Sequence, residues 1–193
     1  MTEPSDLELM LKTKKGDRSA FDLLIRRYRR PVINFMFRYV SSAADAEDLA
    51  HEVFLRVYLS ASRYEARAAF STWLYRIATN LALNHIRDRR PHQIEYLDDK
   101  CEDHSDHREA SIWDRSNLTE NKMLERERTQ QIREALAVLP DNQRLALVLT
   151  KYQSLTLKEA AEVMKCSETA IKSLIFRAYT ALREQLAGVA VNR

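Results

Sequence analysis

The sequence predicts an all-α protein of two small helical domains joined by an acidic, flexible linker. Three observations carry this. Glycine and proline are scarce, 2 and 4 among 193 residues, so the tight turns that sheets require are few. Apolar residues recur at three- and four-residue steps over most of the chain. Charge falls in blocks: residues 1–90 carry 16 Lys and Arg against 11 Asp and Glu, residues 91–122 carry 4 against 9, and residues 123–193 carry 11 against 8. Two basic blocks around an acidic one suggest polyanion-binding domains at 1–90 and 123–193, with a linker at 91–122 that does not share that role. A hydrophobic fraction of 45% is enough to fill their cores.

Taken in order, Ser5-Asp6 opens a short helix through Lys14, closed by Gly16-Asp17. A long helical pattern begins at Ser19, with Phe21, Leu24, Ile25, Tyr28, Val32, Phe35, Met36 and Tyr39 in phase. Pro31 is expected to kink or split it. The basic tract Arg26, Arg27, Arg29, Arg30 reads as a solvated face. A third helix starts near Asp45, with Ala46, Leu49, Val53, Val57 and Phe54 inward. Asp45, Glu47, Asp48, Glu52 and Arg56 make its mostly acidic outer side. The early carboxylates suit a helix N-terminus; the strip also suits a basic partner surface. Residues 60–69 form a loop or loosely wound turn, where Arg63, Tyr64 and Arg67 are placed to hold an extruded base.

The stretch from Phe70 to Arg90 is an amphipathic helix. Phe70, Trp73, Leu74, Ile77, Ala78 and Leu81 form the apolar stripe, and Tyr75, Arg76, Asn80, Asn84, Arg87 and Arg90 the other face. Aromatic, amide and guanidinium groups together suit nucleic acid: rings stack on unpaired bases, amides read base edges and guanidinium groups take phosphates. The plainer alternative is a solvated face on a core helix.

Periodicity then disappears until about Lys122, and this acidic tract is read as extended or disordered when free. Cys101, His104 and His107 within it are zinc-ligand types at close spacing, but a fourth ligand is not evident and no metal is assigned. Helical pattern returns from Met123 to Leu139 and again from Asn142 to Tyr152. Thr156-x-x-Glu159 is a capping box opening a helix to about Met164. Lys165-Cys166 form a tight turn, and Ser167 caps a second helix from about Glu168 to Leu186. Small Ala160 and Ala161 allow a close crossing. This is a helix-turn-helix, whose second helix enters the major groove through Thr169, Lys172, Ser173, Phe176 and Arg177.

With both signals placed, nearly the whole chain resembles the RNA polymerase sigma factors of the sigma-70 family, extracytoplasmic-function group. FDLLIRRYRRPVINFMFRYV resembles the opening of the family's region 2. DAEDLAHEVFLRVY resembles its polymerase-clamp-binding helix, and FSTWLYRIATNLALNHIRDRR its −10 reading helix. LPDNQRLALVLTKYQSLTLKEAAEVMKCSETAIKSLIFRAYTALRE resembles region 4, which reads −35. The resemblance implies that Asp48, Leu49, Glu52, Phe54 and Arg56 dock on the beta-prime clamp of core RNA polymerase. It implies that Tyr64, Arg67, Tyr75, Arg76, Asn80 and Asn84 capture unpaired −10 bases, with Arg87, Arg89 and Arg90 on phosphates. Thr169, Lys172, Ser173, Phe176 and Arg177 would contact the −35 duplex. The beta flap and an anti-sigma protein are further implied partners. Leu174 and Lys165 depart from the family pattern, where a basic residue and a glycine are common.

The rival reading is a regulator that binds duplex DNA only. It uses the helix-turn-helix and leaves the Phe70 helix and the acidic strip without a role. A metal-dependent hydrolase built on Cys101, His104 and His107, with His85, is disfavoured: there is no nucleophile–base pair and no phosphate loop. The protein is therefore read as a non-enzyme without cofactor. Two scattered cysteines, no signal-peptide pattern at MTEPSDLELM and no long apolar run make a cytoplasmic setting the expectation.

Overall fold

The computed structural model describes residues 4–40, 42–95 and 134–191, with side chains outside 89–95 and 185–191. The linker from Tyr96 onward, the part of the helix expected from Met123 that precedes residue 134, and Cys101, His104 and His107 lie outside the described residues; residues 134–137 of that helix are described and helical. What is described is helical: α1 (Asp6–Lys14), α2 (Arg18–Phe37), α3 (Ala43–Ser60), a 3-10 turn (Ala61–Arg63), α4 (Phe70–Glu95), α5 (Asp141–Lys151), α6 (Leu157–Met164) and α7 (Glu168–Val191).

The helix starts follow from capping chemistry. Ser5 and Glu8 form a reciprocal capping box on α1, Asp17 accepts from the Ala20 N–H and Ser42 from the Asp45 N–H. Gly16, at φ 93°, makes the left-handed turn that ends α1. Proline bears on two of the helices. Pro31 sits inside an unbroken α2, so it does not split the helix. α4 runs on through Pro91 to Glu95, beyond the expected boundary at residue 90. Proline lacks one N–H, but in α2 the buried Val32, Phe35 and Met36 carry the helix through that loss.

In the first half, Leu9 and Met10 of α1, Leu24, Phe35 and Met36 of α2, Val53 and Val57 of α3 and Leu74 of α4 are fully buried together. The Lys14 ammonium donates to the Tyr64 carbonyl at 2.8 Å, tying α1 to the turn before α4. Asp6 accepts from both Arg27 and Tyr28, pinning the start of α1 to α2. In the second half, Leu145, Leu149 and Ile171 fill the core, and Ala160, Ala161 and Ala178 let the helices approach closely.

The two halves touch. α4 lies beside α6, and the end of α2 meets α5.

Candidate nucleic-acid interface

The exposed side of α4 carries Arg76, Asn80, Asn84 and Arg87. At about 100° per residue these four fall within roughly 80° of arc, one straight polar stripe. The Arg87 guanidinium donates to Asn84 at 3.1 Å, which aligns neighbouring groups along it. Arg67, in the turn before α4, is exposed and pairs with Glu65 at 2.5 Å. Arg89 and Arg90 lie on α4, but their side chains are outside the described residues.

Two residues grouped with this stripe by sequence sit elsewhere. Tyr75 is 3% exposed, stacked in tilted contact on Phe35, and its hydroxyl donates to Gln153 at 2.5 Å. Helical arithmetic explains it: Tyr75 lies about 140° from the centre of the Arg76 stripe. Tyr64 is 2% exposed and edge-on to Trp73. Burial raises both phenols above the ordinary tyrosine range. In this arrangement neither ring offers a face to a base.

On α3, Asp48 and Arg56 are exposed and Glu52 half-buried, and Arg56 pairs with Glu52 at 2.6 Å one turn away. Leu49 is half-buried at the flank, and Phe54 is buried in the core. Phe54 is thus a packing residue on the side opposite the strip. Sequence reasoning missed Leu55 and Leu59, exposed at 45% and 69% in line with Asp48 and Glu52. Their phase on the helix, read as a wheel, was the available signal. Beside them, α2 and α3 enclose a groove of about 600 Å³, with Arg18 and Arg29 on one wall, Glu47 and Asp48 on the other, and Phe21 and Ile25 at its base.

In the second half, Thr156 and Glu159 form the reciprocal capping box on α6, and those hydrogen bonds hold the Glu159 carboxyl below the usual carboxylate range. The Ser167 hydroxyl accepts from the Ala170 N–H at 3.1 Å, starting α7. Between them Lys165 takes the left-handed conformation, φ 53°, that the tight turn needs. Ile171 and Ala178 face the core, so Thr169, Lys172, Ser173, Phe176 and Arg177 all project outward on one face. Phe176 is 73% exposed, an apolar ring held in solvent at the centre of a polar surface. Leu174 is half-buried against the core, on the other side of α7, so its missing positive charge does not fall on that surface.

Among the described residues there is no cluster of metal-ligating side chains, and no helix long and apolar enough to cross a membrane. His85 is half-buried in α4.

Residues 24–92 match the family described as Sigma-70 region 2, and residues 129–182 match Sigma-70, region 4. The RNA polymerase sigma-H factor of Pseudomonas aeruginosa is 33% identical over 96% of both chains. The ECF RNA polymerase sigma-E factor of Escherichia coli K12 is 34% identical over 92% of both. Among solved structures, CnrH in complex with the cytosolic domain of CnrY has the same fold, with a TM-score of 0.69 at 20% identity over 93% of this chain and 96% of that one. RpoE bound to the anti-sigma factor NepR from Bartonella quintana also shares it, with a TM-score of 0.65 at 21% identity over 86% and 96%. With both conserved regions in order and whole-length relatives on either side, the chain belongs to the sigma-70 family of RNA polymerase sigma factors, in its extracytoplasmic-function group.

Proposed function

We propose that this sigma factor docks on core RNA polymerase through the outer face of α3, reads −35 duplex with α7 and holds unpaired −10 bases along α4. The observation that carries the reading is the pair of separate, outward-facing polar surfaces, Arg76–Asn80–Asn84–Arg87 and Thr169–Lys172–Ser173–Phe176–Arg177. A duplex-only regulator has use for the second alone.

The chemistry of each surface suits its task. Amides and guanidinium groups on α4 can hydrogen-bond base edges and phosphates once strands part. Arg67 adds a cation beside the entry to that helix. On α7, Lys172 and Arg177 suit phosphates or guanine, and Phe176 suits a thymine methyl. Melting requires no catalytic group here: the protein returns the cost of unstacking, a few kcal/mol, by holding the flipped bases. The polymerase performs the chemistry. On α3, Leu55 and Leu59 supply apolar anchors inside the charged frame of Asp48, Glu52 and Arg56. The second half would rest on the beta flap. The protein works in the cytoplasm, and an anti-sigma protein holds it in reserve, as the complexes of CnrH and RpoE illustrate for those proteins.

Run-off transcription with purified core polymerase and a library of promoter fragments tests this. Start sites that appear only with the protein, and vanish with Asn80→Ala, support it. Binding to a duplex site without any new start site would replace it with the duplex-only regulator.

A further inference from the structure

The first helix is held at its start and holds something at its end. Asp6, in its first turn, accepts from Arg27 and Tyr28 of α2. In its last turn the Lys14 ammonium donates to the Tyr64 carbonyl at 2.8 Å. Over nine residues, about 13 Å, α1 thus braces the chain before α4 against α2.

That chain hangs from buried anchors. Ala61, Tyr64 and Phe70 are buried, while Glu65, Ala66, Arg67, Ala68 and Ala69 are all exposed. Tyr64 is the last anchor before the exposed run, and its extended backbone, φ −62° and ψ 131°, turns the chain outward. Its ring stands edge-on to Trp73 with centres 5.0 Å apart; Trp73 lies 6.1 Å from Phe70, and Phe70 lies 5.3 Å from Tyr28. This row of rings fixes where Tyr64 sits. Its hydroxyl is buried with no hydrogen-bond partner among the described residues, so the polar tethers on Tyr64 are in its backbone. The N–H donates to the Ala61 carbonyl at 3.1 Å, and Lys14 holds the carbonyl. That carbonyl belongs to the planar peptide joining Tyr64 to Glu65. Holding it sets the direction in which the exposed run departs. Within the run the Arg67 N–H donates to the Glu65 carbonyl at 2.8 Å, and the two side chains pair at 2.5 Å.

We propose that Lys14 is a positioning residue for −10 recognition: α1 is a strut, and its terminal ammonium sets the loop that presents Arg67 to the unpaired strand. The proposal rests on the promoter-reading role above and adds to it a residue that does not touch DNA. Lys14 acts through the peptide it holds. A loop already ordered loses less conformational freedom on binding. A charged donor holds a carbonyl more firmly than a neutral one. Tyr64 then serves the unpaired bases as the anchor of the loop, with its ring in the core. Loss of the Lys14 side chain opens no cavity, because it is exposed, and Lys12 remains at the negative end of α1.

The test compares Lys14→Met, which keeps an apolar stem, with Lys14→Arg, which restores a cationic donor, both in the full chain. Backbone amide relaxation of the free protein, read by NMR, should show residues 65–68 losing order in Lys14→Met and keeping it in Lys14→Arg. Leu74 and Ala78 should be unmoved in both. The DNA probes are a single strand and a duplex, each selected by the wild-type chain from a random pool. Lys14→Met should bind the single strand about fivefold more weakly, the cost of ordering the loop on binding, and the duplex as well as wild type does. Lys14→Arg should match wild type on both. Salt dependence separates positioning from contact: each lost phosphate contact to a single strand flattens the plot of log affinity against log salt by about 0.7. Lys14→Met should keep the wild-type slope. Unchanged loop order in Lys14→Met would overturn the proposal. A slope flattened by that amount would overturn it too, making Lys14 a phosphate contact. An equal fall in duplex affinity would do the same, making α1 a support of the whole fold. If no single strand is selected, the promoter reading fails, and the relaxation result still decides whether Lys14 sets the loop.

Discussion

Two residues show how local conformation is strained to shape the second half. Lys165 and Ser154 hold φ values of 53° and 55°, a region in which side-chain-bearing residues are disfavoured by about 1–2 kcal/mol. Glycine removes that penalty but loses about 0.4–1 kcal/mol in chain entropy. Lys165→Gly should thus stabilise the domain by about 0.5–1 kcal/mol, read as a rise in denaturant midpoint at unchanged slope; a fall would show that the Lys165 side chain supports the turn. A second residue-scale consequence concerns tyrosine. Burial raises the phenols of Tyr28, Tyr39, Tyr64 and Tyr75 above the ordinary value. The native state therefore keeps protons that the unfolded chain loses near pH 10. Stability is fully present below that pH and falls as pH rises above it. Tyrosinate absorbance should show these four of the eight tyrosines ionising late and together with loss of the fold. Independent early titration of all eight would contradict their burial.

At the scale of helices, most of the architecture was legible. Capping boxes at Ser5 and Thr156, the Gly16 stop and the apolar periods all correspond to helix boundaries within a few residues. The outward face of α7 is legible in the sequence, because Ile171 and Ala178 fix its phase. Tyr75 is assigned to the outer face by its neighbours in sequence, although a helical wheel turns it inward; the period of α3 turns Phe54 inward, and only the family resemblance counts it among the docking residues. Tyr64 sits in irregular chain, where no period indicates which way a ring points. The contact between halves had no local signal at all: Arg144 with Arg38 joins residues 106 positions apart. Two predictions belong at this scale. Phe176→Ala removes a ring that packs on little, so stability should change by no more than about 0.5 kcal/mol. Affinity for −35 duplex should fall about tenfold, or about 1.4 kcal/mol, just under the roughly 1.5–3 kcal/mol that fully burying a Phe side chain can return. Leu55→Glu with Leu59→Glu should likewise leave melting nearly unchanged. It should weaken core polymerase binding tenfold or more, as expected for central apolar anchors; gel-shift and co-elution assays read the two cases. Unfolding by either change would mean the side chain is structural.

For the whole molecule, a modest net charge of +3 is unevenly spread over the surface. In the proposed reading, attraction to nucleic acid comes from placement, with two cationic faces kept apart from the acidic strip on α3.

The central claim is that one chain reads a duplex element with α7 and an opened element with α4. Permanganate reactivity of thymines at −10, measured with core polymerase beside a footprint at −35, tests it most directly. The wild-type protein should produce both signals. Arg76→Ala with Asn80→Ala should keep the −35 footprint and lose the thymine reactivity, since both side chains are exposed and neither supports the fold. A −35 footprint with no reactive thymines in the wild type would contradict the claim, as would full reactivity in the double variant.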